Sequence, residues 1–352
     1  MSTEVSVADA EAAGIADVRA RRAILRLALG VTGSFVVAEG LDWDFTFLGP
    51  MLCVQLLAKS TMPPTLGDAI GQLVAIALAM GASLLVTAAM ISSPWSLVLA
   101  FLLVLYLSFY GQARGISDFA VLMLQFGAVT IPVLAVLSMP IAGDFATTLL
   151  KAMAVALVAV WIVHACFPDP GPGVRSARAR EFDRTEGKAA AAFAFRNTLI
   201  LAPMLAWYLL DSSQIALVLL ITILMVIRQH ERGAARYVAF GILLGNIVGG
   251  IAAALVYNVI QLQPSIVFFA MIVFASSLVF AARIMRGGPI APVYATALAT
   301  FILLLGLGFS PLPTGSEEAF ISRLVNVLIA TAYAVGGLLI FDSRQAPAGG
   351  RS

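Results

Sequence analysis

The chain has 352 residues, of which 61% are hydrophobic and only 11% are charged, and its formal net charge is +2. A water-soluble domain of this length does not have that balance, so the composition excludes a soluble globular protein and predicts an all-α, polytopic membrane protein. The small net charge says little by itself. The lipid bilayer is a predicted partner of the chain, and nucleic acid is not.

Twelve apolar segments follow one another along the chain, and most reach the roughly 17–25 residues that cross a bilayer as a helix. The second segment is short, so we expect it to pair closely with its neighbour or to stop short of the far face. Gly49-Pro50 near its start and Pro132 in the fifth segment predict kinks or breaks. The segments are residues 24–41, 44–58, 68–92, 94–110, 118–140, 144–167, 193–210, 213–228, 236–260, 265–282, 290–309 and 318–341.

Lysines and arginines between the segments fall on alternate loops, which predicts the orientation of the chain. With the N-terminus in the cytoplasm, the inside loops hold the basic loop residues, while acidic residues such as Asp42 and Asp144 lie near outer helix ends. Arg228 is interpreted as an inner-end residue of the eighth segment. Both termini are therefore predicted to be cytoplasmic.

A polar connection after the sixth segment begins with several prolines and glycines, which predicts a cytoplasmic linker between two blocks of six helices. The predicted organisation is an N-terminal cytoplasmic segment, a first six-helix repeat, the linker, a second six-helix repeat and a cytoplasmic tail. These parts cover residues 1–23, 24–167, 168–192, 193–341 and 342–352.

Matching residues in the two blocks indicate an internal duplication. Arg26 and Arg196 each open the first helix of a block and are 170 residues apart, and Gly71 and Gly241 in the third helices keep the same offset. An even number of helices leaves both copies pointing the same way. The duplication therefore predicts two parallel repeats related by a pseudo-two-fold axis along the membrane normal, with a site on or near that axis.

Two cations inside apolar segments are the first candidates for that site. Lys151 and Arg323 lie early in the sixth helix of each block, 172 residues apart. A cation in hydrocarbon is costly, so it usually faces protein or a wet path, and either residue could bind an anionic group. The alternative is a snorkelling or ion-paired cation near the outer interface. Asn326 is three residues beyond Arg323 and should share its helix face as a site neighbour.

Other polar residues of the segments have two interpretations each. Glu39, near the outer end of the first helix, could carry a proton in a low-dielectric setting, or could simply reach the interface. Arg26 and Arg196 are either inner-face anchors or part of an inner substrate mouth. Five uncharged polar residues of the segments predict hydrogen bonds between helices: Gln55, Gln72, Gln125, Asn246 and Asn326.

Glycine spacing in the third helix of each block predicts close helix packing. Gly241, Gly245 and Gly249 recur at intervals of four in the second block, and Gly67, Gly71 and Gly81 repeat the pattern more loosely in the first. Such spacing lets backbones approach one another and is first of all a packing feature.

These features together resemble the fusaric acid resistance and aromatic acid exporter superfamily, and distantly the aluminium-activated malate transporters. The likeness rests on Arg26 and Arg196, on the short second helix, on the glycine-stepped stretch RYVAFGILLGNIVGG, and on Lys151 and Arg323. It implies export of aromatic or other organic carboxylates across a bacterial inner membrane, driven by protons, and a periplasmic adaptor partner of the membrane-fusion type. The chain is shorter than the larger exporters, which carry a cytoplasmic domain after each block.

Three functions remain open for this scaffold: a secondary exporter of organic anions, a passive anion channel, and a non-transport membrane scaffold. An enzyme is not predicted, because the chain has no HExxH helix, no P-loop and no GxSxG elbow. No metal site or cofactor is predicted, and the missing nucleotide motif argues against an ATP-driven pump.

Overall fold

A computed structural model describes residues 2–59, 62–170, 187–211, 216–230, 235–263, 265–288, 290–309 and 325–338. Regular secondary structure in these ranges is helical, with no strand among them. The helices are α1 Ser2–Gly40, α2 Leu48–Lys59, α3 Leu66–Met90, α4 Pro94–Ala113, α5 Asp118–Leu137, α6 Met139–Cys166, α7 Gly187–Asp211, α8 Ala216–His230, α9 Ala235–Leu262, α10 Ile266–Met285, α11 Ala291–Phe309 and α12 Val325–Leu338.

Nine helices in the described part of the chain are long and apolar enough to cross a membrane. Three shorter apolar stretches, Leu48–Ala58, Leu219–Arg228 and Val325–Leu338, belong to α2, α8 and α12. The predicted all-α, polytopic membrane architecture is confirmed, and so is the short second helix. The counterpart of α2 in the second block, α8, is also short. The first helix is longer than its apolar segment, because α1 already begins at Ser2.

Prolines interrupt the helices less than the sequence predicted. The helix α5 continues from Asp118 to Leu137 with Pro132 inside it, so it has no break there, and a kink at Pro132 stays a prediction. Its flanking residues Ile131 and Val133 are fully buried, and this packing holds the helix together although one backbone hydrogen bond is missing. Pro50 lies in the first turn of α2, where a missing N–H removes no helical bond.

The described helices form two compact units. The first unit draws on residues 1–70, 151–178 and 247–315, and in it α1 packs against α2 and α10, while α11 packs against α10 and α2. The second unit draws on residues 71–150, 179–246 and 316–352. In it α4 packs against α5 and α7, and α8 packs against α5 and α7.

Helix pairing within the units follows the predicted duplication. Each unit combines helices from both blocks, and the pairs correspond when six is added to or subtracted from the helix numbers. The pair α1–α10 in the first unit corresponds to α7–α4 in the second, and α10–α11 corresponds to α4–α5. This correspondence supports a duplicated chain, whereas the pseudo-two-fold axis and the repeat boundaries stay predictions.

Glycines allow two close helix contacts in the first unit. A Cβ added to Gly249 in α9 would overlap the carbonyl oxygen of Ala297 in α11. A Cβ added to Gly306 in α11 would lie 2.5 Å from Cβ of Phe47, next to a hydrogen bond of 3.3 Å from Thr46 Oγ1 to the Gly306 carbonyl oxygen. The close packing predicted from the glycine steps is therefore found at Gly249, whereas the prediction is wrong for Gly71 and Gly81 in α3, where an added Cβ would meet no described atom within 4 Å.

The contact at Gly249 gives a first test. We expect Gly249→Ala to lower the melting temperature of the detergent-solubilised protein, because the added methyl group meets backbone of α11, and overpacking of this kind costs about 1–3 kcal/mol. The matched control is Gly81→Ala in α3, where a Cβ would meet no atom within 4 Å. That variant should be as stable as the parent or more so, since alanine favours helix over glycine by about 1 kcal/mol. Equal melting temperatures for the two variants would contradict the packing.

Candidate functional site

Lys151 lies on an exposed face of α6. Its side chain shares that face with Ala154, Val158 and Ile162, which follow at helical spacing and are also exposed. The opposite face carries the buried Met153 and Val160. Within the described part of the chain, no carboxylate lies within ion-pair distance of Lys151. The lysine is therefore a cation at the beginning of an otherwise apolar exposed strip.

The predicted partner of Lys151, Arg323, lies outside the described residues. Their pairing therefore stays a prediction. Asn326 belongs to the same segment and is the second residue of the described part of α12, where it is half-buried.

Arg26 is buried in α1 and forms an ion pair with Asp169. Its Nη2 lies 2.9 Å from Asp169 Oδ1, and the two side chains are only 4% and 7% exposed. Asp169 lies in the short stretch that follows α6, so the ion pair joins the first and last helices of the first block. Desolvated charges of this kind persist only when they are paired, which favours the anchoring interpretation of Arg26 in this conformation.

Arg196, the repeat counterpart of Arg26, has a different environment on α7. Its Nε donates a hydrogen bond of 3.1 Å to Oδ1 of the buried Asn197, and its guanidinium lies 5.6 Å from the centre of the Phe193 ring. The side chain is half-buried. These contacts of the two arginines that open the blocks therefore differ.

Glu39 lies next to the last residue of α1, and its side chain is half-buried. The structure thus locates this carboxylate at a helix end, where both the proton-carrying and the interface interpretation remain open.

A second buried arginine, Arg228 in α8, forms a polar network that the sequence reasoning missed. Its Nη2 pairs with Asp118 Oδ1 at the start of α5, and its Nη1 donates to Gln125 Oε1 and, at 3.4 Å, to Gln112 Oε1. Gln125 also donates to Gln112 over 3.2 Å. Arg228 is only 4% exposed, so it is not a freely solvated residue at a helix end. The signal in the sequence was the seven-residue spacing of Asp118 and Gln125, which puts both on one helix face.

Predicted hydrogen bonds between helices are confirmed at two positions, whereas the buried Oε1 of Gln72 has no hydrogen-bond partner among the described residues. Gln125 in α5 bonds to Gln112 in α4 as described above, and Asn246 Nδ2 in α9 donates to Thr331 Oγ1 in α12 over 2.7 Å. Both side chains of the second pair are buried. These contacts join helices and leave Lys151 as the clearest candidate for an anion among the predicted residues that the structure describes. The described residues include no group of three or more His, Cys, Asp or Glu side chains that could hold a metal ion.

Comparison with protein families identifies the scaffold. Residues 200–336 match the family described as fusaric acid resistance protein-like. The second predicted block is thus similar to fusaric acid resistance proteins. Residues 23–165 match a family described as a protein of unknown function, DUF2955, so the two matches fall on the two predicted blocks. The comparison with curated proteins found no match, and neither did the comparison with solved structures.

The match of residues 200–336 confirms the resemblance read from the sequence. Together with the apolar helices, it identifies a multi-pass membrane protein of a transporter family.

The Arg228 network gives a second test. We expect Asp118→Asn to destabilise the protein, because it leaves a buried guanidinium without its carboxylate. The cost should be below the roughly 3–5 kcal/mol of a fully buried pair, since the Asp118 side chain is 31% exposed. Combining it with Arg228→Met should cost less than the sum of the single substitutions. Unfolding in detergent measures all three variants.

The exposed pair Arg21–Asp17, one helical turn apart in α1, is the matched control. Its removal should cost no more than about 0.5 kcal/mol, as is usual for solvent-exposed pairs. Additive effects of Asp118→Asn and Arg228→Met would show that the two charges are not coupled.

Proposed function

We propose that this protein is a proton-coupled secondary transporter that exports organic carboxylates, in particular aromatic ones. The proposal assigns anion binding to Lys151 and Arg323, with Asn326 beside Arg323, and substrate entry to an inner mouth with Arg26 and Arg196. Glu39 is the proposed proton carrier. The observation that carries the proposal is a lysine on an exposed face of a membrane-spanning helix, in a chain similar to a transporter family.

The chemistry of Lys151 supports this assignment. An ammonium group within an apolar span is costly unless it meets water, lipid headgroups or a counter-ion. The two buried arginines already have carboxylates of the chain as partners, whereas no ion pair of Lys151 occurs among the described residues. An organic carboxylate would supply the missing charge.

The same proposal extends to location and partners. The distribution of basic residues supports a bacterial inner-membrane protein with both termini in the cytoplasm. A periplasmic adaptor of the membrane-fusion type would carry the exported anion onward. Copurification of such an adaptor from cross-linked membranes would support this part of the proposal.

Lys151 and Arg323 give the third test. We expect Lys151→Gln and Arg323→Gln each to lower benzoate efflux from proteoliposomes about 10- to 100-fold, because a charged hydrogen bond to a carboxylate is worth about 1.5–3 kcal/mol. Lys151→Arg should keep most of the activity, since it keeps the charge. Arg21→Gln, which removes an exposed cation from α1, is the control for general loss of positive charge.

Unchanged efflux in the well-expressed Gln variants would contradict the roles of Lys151 and Arg323. Imposed gradients distinguish the remaining alternatives: flux that follows only the benzoate gradient would indicate a passive anion channel, and no flux from the parent protein would indicate a scaffold. In an exporter, Glu39→Gln should weaken the dependence of efflux on the proton gradient.

Orientation gives the fourth test, through the two cysteines. Cys166 at the end of α6 is exposed and predicted to be cytoplasmic, whereas Cys53 in α2 is buried. We expect a membrane-impermeant maleimide to label Cys166 in inside-out vesicles and not in intact cells. Cys166→Ser should abolish the labelling, and Cys53→Ser should not change it. Labelling of Cys166 in intact cells would reverse the proposed orientation.

A further inference from the structure

Three arginines of α1 contact the stretch of chain that follows α6. Arg19, Arg22 and Arg26 are spaced by three and four residues, so they share one face of the helix, which we call the α1 arginine face. Arg22 donates to the carbonyl oxygen of Pro168, and Arg19 donates to that of Pro170 over 3.4 Å. Arg26 donates to the carboxylate of Asp169, which lies between these two prolines.

Burial increases along the α1 arginine face. Arg19 and Arg22 are half-buried, whereas Arg26 is 3% exposed. Three positive charges thus lead from the surface of the first unit to a guanidinium in its interior. Such an arrangement attracts anions towards the innermost charge.

The carboxylate of Asp169 uses only half of its binding capacity. Its Oδ1 accepts from Arg26 over 2.9 Å, while its Oδ2 is buried and has no hydrogen-bond partner among the described residues. A guanidinium and a carboxylate can form two parallel hydrogen bonds, and a buried oxygen without a donor is costly. The ion pair is therefore an incomplete version of the contact that Arg26 could make with a free carboxylate.

We propose that Arg26 is a binding site for a solute carboxylate, and that Asp169 is the chain's own occupant of this site. A solute carboxylate binds Arg26 when the stretch from Pro168 to Pro170 moves away and Asp169 leaves the guanidinium. Arg22 and Arg19, which hold that stretch by its carbonyl oxygens, are released in the same movement. The inference rests on the proposed function only for the class of solute, an organic carboxylate.

The competition has a quantitative consequence. A ligand that binds only the open state has an apparent dissociation constant equal to the intrinsic one divided by the open fraction. If Asp169 occupies Arg26 most of the time, the open fraction is small, and the apparent dissociation constant of the solute rises as the inverse of that fraction. Removing the charge of Asp169 should strengthen solute binding at Arg26, whereas a purely structural ion pair would only lose stability.

Carboxylate rescue in the purified full-length protein tests the site without requiring transport. Asp169→Ala leaves a space beside Arg26 that acetate can fill. We expect acetate to raise the melting temperature of this variant in a saturable way, and to have a much smaller effect on the parent. The double variant Arg26→Gln/Asp169→Ala should not respond. Asp17→Ala, which removes the exposed partner of Arg21 on the same helix, is the control and should not respond either.

A second variant covers the case in which Asp169→Ala fails to fold. Asp169→Asn keeps the shape and one acceptor oxygen while removing the charge. We expect it to bind benzoate with an apparent dissociation constant at least about tenfold below that of the parent, by calorimetry in detergent. Arg26→Gln in the same background should remove the gain.

Two results would overturn the inference: no stabilisation of Asp169→Ala by acetate, or no gain in benzoate affinity for Asp169→Asn that depends on Arg26. The readouts are separate from those of the proposed function. A loss of flux in the Lys151 and Arg323 variants neither supports nor contradicts the proposed site at Arg26. Carboxylate rescue in a protein that shows no flux would show an anion site on a non-transporting chain.

Discussion

A guanidinium cannot be taken out of water at low cost unless a carboxylate meets it, and this constraint connects distant parts of the chain. Arg26 meets a carboxylate 143 residues away, and Arg228 meets one 110 residues away. The first pair joins the beginning and the end of the first block within one unit. The second pair joins α5 of the first block to α8 of the second within the other unit. Each unit therefore depends on one buried arginine whose partner lies far along the sequence.

The helix pairs of one unit correspond to those of the other as expected for a duplicated sequence. A block of six amphipathic or apolar helices has faces that need partners, and in each unit helices from the other block supply them. Glycine allows the closest of these contacts, as at Gly249 and Gly306, because a side chain would meet backbone there. The pairs α1–α10 and α7–α4 occupy corresponding positions in the two predicted blocks, while their residues differ.

The difference is clearest at the arginines that open the two blocks. Arg26 has a buried carboxylate as its partner, whereas Arg196 contacts an amide and an aromatic ring. A transporter that handles organic anions needs cations that can exchange partners, and a chain carboxylate is a partner of the same chemistry as the solute. Positive charge thus has two uses in this fold. Buried ion pairs join helices, and cations such as Lys151 are exposed.

The sequence by itself determined the membrane class, the helix order, the short second helix and the resemblance to fusaric acid resistance proteins, because these depend on composition, hydrophobic length and local spacing. It also marked Gln125 and Asn246 as interhelical hydrogen-bonding residues, since polar groups in apolar helices need partners. It did not identify Asp169 as the partner of Arg26, or Arg228 as buried. Those facts depend on which helices pack together, and residues 143 or 110 positions apart carry no local sign of their contact. Only the tertiary structure decided them, because the pairing of charges follows from the packing of whole helices.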